Sequence, residues 1–212
     1  MTKVLVLGAS GQIAQLADQM LINDNNDVTL FLRDTAKLKL DAKLLAKATV
    51  VTGDVLDANL LKKVMTGVDI VYANLAGKVI DMARLIVDTM HETGVNRIVW
   101  ISTLGIYDEV PGKFGEWNNT ILGDYITNYA AAAKIIEDSD LDYTIIRPAW
   151  LTDKDEVDYE VTQRNDPFKG TEVSRKSVAT VVTEIVAHPD KYKRASIGLN
   201  KPNTDGDKPA WY

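Results

Sequence analysis

A glycine-containing turn between the first predicted strand and the first predicted helix constrains this chain most. Residues 3–7 form a short apolar run, and residues 11–22 carry apolar side chains spaced by three and four, which is typical of a helix. The turn between them reads Gly8-Ala-Ser-Gly11-Gln-Ile-Ala14. A strand–turn–helix junction presents backbone N–H groups at the positive end of the helix dipole. The pattern therefore predicts a phosphate-binding site near residue 8.

The alternation of strand-like and helix-like segments continues along the chain. Further strands are predicted at 28–32, 49–52, 68–72, 97–102, 142–146 and 195–199. Further helices are predicted at 35–46, 59–65, 78–92, 120–137 and 174–187. This alternation predicts an α/β fold with a doubly wound parallel sheet, because right-handed crossovers place helices on both faces.

No linker or change in composition divides the chain, so a single domain over residues 1–212 is expected. A Gly/Pro/aromatic loop is predicted at about 104–118, and the segment 148–173 shows no clear period. Both segments are expected on the substrate side of the sheet. The tail, 200–212, is expected to be irregular because Gly, Pro, Asp and Lys dominate it.

Composition excludes several kinds of site and partner. The chain has no cysteine, so disulfides, zinc–thiolate sites and thiol catalysis are excluded, and with two histidines no metal site is expected. With 24 Lys and Arg against 30 Asp and Glu, the net charge of −6 argues against general nucleic-acid or membrane binding. Without a long apolar run, a cytoplasmic location is expected.

The end of the second strand bears on which coenzyme the phosphate site takes. Arg33 follows the apolar run, about twenty residues after Gly11, where an arginine pairs with the 2′-phosphate of NADP. Thr35 and Lys37 add a hydroxyl and a positive charge nearby. Asp34 leaves two alternatives open, since it is either an acidic ribose ligand or the cap of the next helix. On balance the pattern favours NADP(H) over NAD(H).

Other strand ends face the same predicted crevice, because ligands of open α/β sheets bind outside the carboxyl ends of the strands. Asp54 is expected to accept from the adenine amino group, with helix capping as the alternative, and Val55 to lie against the ring. The predicted pyrophosphate and ribose contacts come from the first turn and from the end of the fourth strand: Gly8, Ala9, Ser10, Gly11, Gln12, Ile13, Asn74, Leu75 and Ala76.

Four segments together resemble the atypical short-chain dehydrogenase/reductases, in particular NmrA-like NAD(P)H-binding proteins with a biliverdin/flavin reductase-like subgroup. They are Gly8–Ala14, Arg33, the run Gly53-Asp-Val-Leu-Asp57 and the run Leu141-Asp-Tyr-Thr-Ile-Ile-Arg147-Pro148. The resemblance covers about residues 1 to 200. It implies a Rossmann core, hydride transfer from a nicotinamide, and a substrate site built after strands five and six. The family also includes NADP-binding members without catalysis.

In the wider family a Ser or Thr ends the fifth strand, and a Tyr-x-x-x-Lys pair lies on the next helix. The resemblance implies Thr103 or Ser102 as the hydroxyl residue and Tyr125 as the tyrosine, which places Tyr129 at the lysine position. Lys134 is five residues beyond Tyr129, roughly 140° around the helix, and does not replace that lysine. A tyrosine without a neighbouring cation keeps a pKa near ~10 and is a poor base.

Aromatic residues after strands five and six are expected to border the acceptor and to stack on a planar ring: Tyr107, Phe114, Trp117 and Trp150. The alternative for these side chains is a hydrophobic cluster that holds the loop to the core.

The sequence thus favours an NADPH-dependent reductase acting on a small planar or carbonyl acceptor, flavin- or quinone-like. The alternative is an inactive NADP(H)-binding sensor of the same fold, and a nucleotide-sugar epimerase or dehydratase is weaker. A small-molecule acceptor is the expected partner, and the chain is expected to be a monomer or a homodimer.

Overall fold

The computed structural model describes all 212 residues, and an extended parallel sheet organises them. The strands are β1 (Lys3–Leu7), β2 (Asp27–Leu32), β3 (Thr49–Thr52), β4 (Ile70–Ala73), β5 (Arg97–Ile101), β6 (Asp142–Pro148), β7 (Trp150–Thr152), β8 (Glu160–Thr162), β9 (Glu172–Ser174) and β10 (Ala195–Asn200). Eight of them form one sheet in the order β3-β2-β1-β4-β5-β6-β10-β8, in which only β8 is antiparallel to its neighbour. The strands β7 and β9 pair separately.

Helices cover both faces of this sheet. They are α1 (Gln12–Asn23), α2 (Ala42–Leu45), α3 (Ala58–Met65), α4 (Val79–Thr93), α5 (Gly112–Leu122), α6 (Asp124–Glu137) and α7 (Arg175–Ala187). Helices α1 and α7 pack together on one face, and α3, α4 and α6 pack on the other. The predicted doubly wound α/β fold is therefore confirmed. No helix is both long enough and apolar enough to span a membrane.

Strand β1 shows why the sheet is buried on both faces. Val4 and Val6 belong to one hydrophobic core, while Leu5 and Leu7 belong to the other. Successive side chains of a strand point to opposite faces, so a strand covered on both sides must be apolar throughout.

The order of the strands reverses at β1, which lies between β2 and β4. In such sheets the crevice at the reversal is where ligands bind.

The predicted helix at 35–46 is wrong over its middle. The chain forms a short 3-10 helix at Thr35–Lys37, then extended backbone, and then α2, which Asp41 caps through a 2.9 Å hydrogen bond from the Leu44 N–H. A long-range contact holds the extended part, because the Lys39 N–H donates to the Gln15 side chain at 2.6 Å. This contact with α1 replaces the intrahelical bond that Lys39 would otherwise make.

The boundary between the predicted loop 104–118 and the predicted helix 120–137 is also wrong. Helix α5 begins at Gly112 inside that loop, and α6 begins only at Asp124. Gly123 separates the two helices with a φ of +45°, a left-handed conformation that favours glycine. The glycines within α5 obscured the helical spacing of its buried residues Phe114 and Asn118.

The segment 148–173, which has no clear period, contributes three short strands, β7, β8 and β9, the last of which ends one residue beyond it. Strand β8 pairs with β10, and β7 pairs with β9. Both pairings join parts of the chain that are distant in sequence. Three-residue strands are too short for an alternating pattern to reveal them.

Candidate functional site

The glycine turn packs directly against the end of β4. Gly8 has a φ of +82°, and a Cβ at this position would collide with the Asn74 carbonyl oxygen. A Cβ on Gly11 would collide with the side-chain amide of Asn74. Gly8 and Ala9 both donate their N–H groups to the Phe31 carbonyl, which ties the turn to β2. The turn is thus a close-packed cradle at the N-terminus of α1, with no room for a Cβ at Gly8 and none at Gly11 unless the Asn74 side chain moves.

Beside this cradle lies a cavity of about 210 Å³ between the ends of β2, β3 and β4. Most residues predicted to hold the coenzyme line it: Gly8, Ser10, Gly11, Arg33, Asp54, Val55, Asn74, Leu75 and Ala76. The structure adds Phe31, Leu32, Asp34, Lys37, Gly53 and Met82 to this lining. Ala9 does not line it, because its side chain is fully buried in the core under α1. We call this space the adenosine-side cavity.

Asp34 and Asp54 each accept a backbone hydrogen bond from a residue close by in sequence, and both line the adenosine-side cavity. The Asp34 carboxylate accepts a 3.1 Å hydrogen bond from the Ala36 N–H and caps the 3-10 helix. Asp54 likewise accepts from the Leu56 N–H at 2.9 Å, while still lining the cavity. Arg33 and Lys37 form no ion pair or side-chain hydrogen bond within the protein, so their positive charges remain available to a ligand.

A second cavity of about 340 Å³ continues the crevice past the first turn toward β5 and β6. The two cavities share Gly11, Asn74, Leu75 and Ala76. Predicted residues on this second wall are Gln12, Ile13, Ser102, Thr103, Tyr125 and Trp150. The shared wall makes one continuous groove along the carboxyl edge of the sheet. We call the second space the acceptor cavity.

Ser102 and Thr103 both line the acceptor cavity, but their hydroxyls differ. The Ser102 hydroxyl is enclosed and has no hydrogen-bond partner. The Thr103 hydroxyl has no partner within the protein either, yet it is not enclosed, although the residue is only 7% exposed. Of the two, Thr103 therefore presents the more accessible hydroxyl to a molecule in the cavity.

Tyr125 and Tyr129 lie side by side on α6 with their ring centroids 4.4 Å apart, and both line the acceptor cavity. Tyr125 is 44% exposed, whereas Tyr129 is buried. The Tyr129 hydroxyl donates a 2.6 Å hydrogen bond to the Leu75 carbonyl. Burial raises the pKa of Tyr129 well above its ordinary value, and the neighbouring Tyr125 raises it further. Tyr129 therefore stays protonated and holds the segment after β4 in place.

Of the four predicted aromatic acceptor contacts, only Trp150 lines the acceptor cavity. Its indole N–H donates to the Asn118 side chain at 2.9 Å, and Trp117 packs against it from behind with ring centroids 4.7 Å apart. Tyr212 also contacts both rings. Trp117 contacts other aromatic rings, as in the hydrophobic cluster that the sequence offered as the alternative to an acceptor contact.

Tyr107 and Phe114, which were expected to border the acceptor, do not line the acceptor cavity. Tyr107 donates to the Glu137 carboxylate at 2.7 Å, and the Arg164 guanidinium covers its ring at 4.1 Å from the centroid. Phe114 is buried and stacks on the ring of Trp117. Glu137 and Arg164, which are distant in sequence, hold the Tyr107 ring outside the cavity. The Phe114 ring is covered by Trp117.

Sequence reasoning missed several residues of the acceptor cavity, namely Leu104, Leu122, Leu151 and Arg175. The leucines carry no signal that separates them from core leucines. Arg175 begins α7, far along the chain from the glycine turn, and only the pairing of β9 with β7 brings it to the cavity. No local pattern marks it.

Comparison with known proteins shows the family to which this chain belongs. A sequence profile of the NAD(P)H-binding family matches residues 8–189. A Rossmann-fold NAD(P)-binding family protein from Shigella flexneri is 42% identical, with 99% of this chain and 98% of that chain covered and a TM-score of 0.86. No curated protein sequence matches the chain.

Two further solved structures are similar at lower sequence identity. A short-chain dehydrogenase/reductase from Veillonella parvula DSM 2008, solved in complex with NADP, is 28% identical over 99% of both chains with a TM-score of 0.91. An anaerobillin reductase from Escherichia coli O157:H7 is 20% identical, with 97% of this chain and 100% of that chain covered and a TM-score of 0.80. At that identity the last similarity shows a shared fold.

Proposed function

Because the chain belongs to the NAD(P)H-binding family of atypical short-chain dehydrogenase/reductases, we propose that it is an NADPH-dependent reductase of a small planar or carbonyl acceptor, flavin- or quinone-like. One observation carries the proposal. A single groove joins the glycine cradle and the free Arg33 charge to a largely apolar cavity with the Thr103 hydroxyl in its wall.

The residues present fit a dinucleotide. Gly8 and Gly11 leave a cradle that any Cβ would fill, and the N-terminus of α1 favours an anion there. Arg33, with Lys37 beside it, supplies unpaired positive charge for a 2′-phosphate. The NADP complex of the Veillonella relative supports this choice of coenzyme. Val55 and Asp54 then border the adenine, and Asn74 to Ala76 the ribose side.

When bound, NADPH supplies a hydride to an acceptor beside its nicotinamide ring. The wall of the acceptor cavity is largely apolar, formed in part by Ile101, Leu122 and Trp150, and would lie against the faces of a planar acceptor. Thr103 holds its hydroxyl toward the acceptor and donates a hydrogen bond to the oxygen or nitrogen atom that takes up the accompanying proton. Tyr125, at the open side of the cavity, borders the acceptor ring.

The lack of a lysine at the position of Tyr129 limits the range of acceptors. Tyr129 stands beside Tyr125 where the family has a lysine, so the tyrosine–lysine pair of strong acid–base catalysis is not supplied. Flavins and quinones become basic as they are reduced and can take a proton from water or a weak donor. The site therefore suits such acceptors better than unactivated ketones.

The lack of a lysine at the position of Tyr129 also favours a second candidate, an NADP(H)-binding sensor without turnover. Tyr129 stabilises the segment after β4 through Leu75, a role that serves coenzyme binding without serving catalysis.

Two measurements separate these candidates. Binding of NADPH and NADH is titrated first, and NADPH oxidation is then followed with flavins, quinones and aldehydes. We expect tight NADPH binding, with turnover on flavins or quinones and little on aldehydes. Tight binding without turnover on any acceptor would favour the sensor, and failure to bind either coenzyme would refute both.

A further inference from the structure

One charged side chain, that of Arg175, lines the acceptor cavity. The other lining residues are apolar or uncharged. Arg175 is the first residue of α7 and follows β9 directly, and its side chain is 19% exposed. A guanidinium in a mostly apolar wall loses hydration, and hydrogen-bond or ion-pair partners are needed to offset that cost.

The contacts of Arg175 leave most of its hydrogen-bonding capacity unused. Its Nη1 donates to the Asp153 carboxylate at 2.8 Å and to the Leu151 carbonyl at 3.5 Å. Asp153 is 80% exposed, so this ion pair lies at the solvent edge and contributes little to stability. The Nε and Nη2 groups have no partner within the protein, although a guanidinium carries five N–H donors in a planar fork.

Neighbouring cations show that Arg175 differs from its surroundings. Lys176 pairs with Asp155 at 2.6 Å, and Lys154 pairs with Glu172 at 2.9 Å. Neither lysine lines the acceptor cavity. Arg175 alone among these three faces the cavity and retains free donors there. The positive end of the α7 dipole adds to its charge.

We propose that Arg175 binds an anionic substituent of the acceptor, so that the protein selects planar acceptors that carry a carboxylate or a phosphate ester. The inference rests on the proposed function, because it places the acceptor in this cavity. The planar part of the molecule lies against Trp150 and Leu122, and its anion meets the free Nε and Nη2 donors. Two parallel N–H···O bonds from one guanidinium are the arrangement that carboxylates and phosphates accept best.

The test uses matched acceptor pairs that share one ring system and differ in a single anionic group. FMN and riboflavin share one ring system and differ by a phosphate, and a quinone carboxylate is compared with its methyl ester. Steady-state kinetics are measured for the wild-type protein, for R175Q and for K176Q. The K176Q control removes a neighbouring charge that does not reach the cavity. Equilibrium dialysis of the same four molecules without coenzyme gives a readout that does not need turnover.

We expect wild-type KM and Kd values to be roughly 10- to 100-fold lower for the charged member of one pair, as for a charge-assisted hydrogen bond. A difference within the flavin pair would identify a phosphate as the preferred anionic group, and a difference within the quinone pair would identify a carboxylate. R175Q is expected to remove the difference by weakening the charged member, and K176Q to keep it. The Kd for NADPH is expected to be the same in all three proteins.

Three results would overturn the proposal. The first is equal binding, or no binding, of the charged and neutral members of both pairs. The second is an equal loss for both members in R175Q, which would assign Arg175 a packing role. The third is a weaker Kd for NADPH in R175Q, which would assign it to the coenzyme. If no acceptor turns over but dialysis still discriminates by charge through Arg175, the reductase proposal fails and the anion site stands.

Discussion

The Tyr129 hydroxyl donates a 2.6 Å hydrogen bond to the carbonyl oxygen of Leu75, which joins α6 to the segment after β4. In the wider family the resemblance implies a lysine at this position. Here a neutral donor stands there and is bonded to backbone, so it supplies no charge to Tyr125. The same contact lies where the adenosine-side and acceptor cavities meet, since Leu75 lines both.

The first prediction concerns this contact. Tyr129→Phe removes the hydrogen bond to Leu75 and loosens the segment that borders both cavities. We expect the Kd for NADPH to rise about 2- to 10-fold, the range of a net hydrogen bond, and the free energy of unfolding to fall by about 1 kcal/mol. Tyr107→Phe is the control, because its hydroxyl bonds to Glu137 away from the cavities. Equal Kd values for both variants would show that Leu75 needs no such support.

The second prediction concerns coenzyme choice. Arg33→Ala removes an unpaired guanidinium from the adenosine-side cavity. We expect the Kd for NADPH to rise roughly 10- to 100-fold, because charge-assisted hydrogen bonds to the 2′-phosphate are lost, while the Kd for NADH changes less than about twofold. Lys43→Ala, which removes an exposed charge from α2 outside the cavity, controls for net charge. An unchanged ratio of the two Kd values in Arg33→Ala would contradict the assignment of Arg33.

The third prediction concerns the backbone cradle. Gly11→Ala adds a Cβ that meets the tip of the Asn74 side chain, which can move aside, so the variant should fold. The added methyl group then occupies the approach to the N-terminus of α1, and we expect the Kd for NADPH to rise at least about tenfold. Gly206→Ala has ordinary contacts and should bind like the wild type. Tight NADPH binding by a folded Gly11→Ala protein would place the pyrophosphate elsewhere.

The fourth prediction separates the two hydroxyls after β5. Thr103→Val is expected to lower kcat at least about tenfold with an unchanged Kd for NADPH, as for a lost proton or hydrogen-bond donor to the reacting molecule. Ser102→Ala removes an enclosed hydroxyl without a partner and is expected to raise the free energy of unfolding by up to about 1 kcal/mol. A larger loss of kcat in Ser102→Ala than in Thr103→Val would reverse the two roles.

The fifth prediction concerns stability and pH. The carboxyl group of Asp18, on the buried face of α1, is fully buried without a hydrogen-bond partner, and burial raises its pKa well above the ordinary value. Because the folded state then binds the proton more tightly than the unfolded state, the stability this group contributes is complete below about pH 4 and is lost as pH rises toward the folded-state pKa.

The uncharged variant Asp18→Asn removes that dependence. We expect it to be more stable than the wild type at pH 8, by about 1 kcal/mol or more, and the gap to shrink as the pH is lowered to 5. Urea unfolding at several pH values measures both effects. A gap that stays constant with pH would mean that Asp18 is not protonated in the folded protein.

Much of the fold could be predicted because its signals are local. The apolar runs of β1, β2 and β5 and the helical spacing of α1 and α4 are properties of short stretches of sequence, and the predicted ends agree with the structure within about two residues. Gly94 likewise ends α4 with a φ of +74°, as a glycine after a helix predicts. The glycine turn is local in the same sense, since its spacing alone requires a tight strand-to-helix junction.

The tertiary structure decided what depends on partners distant in sequence. The contact between Gln15 and Lys39 interrupts the predicted second helix, and Glu137 draws Tyr107 away from the cavity. The pairing of β7 with β9 brings Arg175 to the acceptor cavity. The sequence by itself therefore predicted the glycine cradle at the N-terminus of α1, because one short segment builds it. The lining of the acceptor cavity could not be predicted in the same way, because six separate parts of the chain form its wall and only their packing determines which side chains face inward.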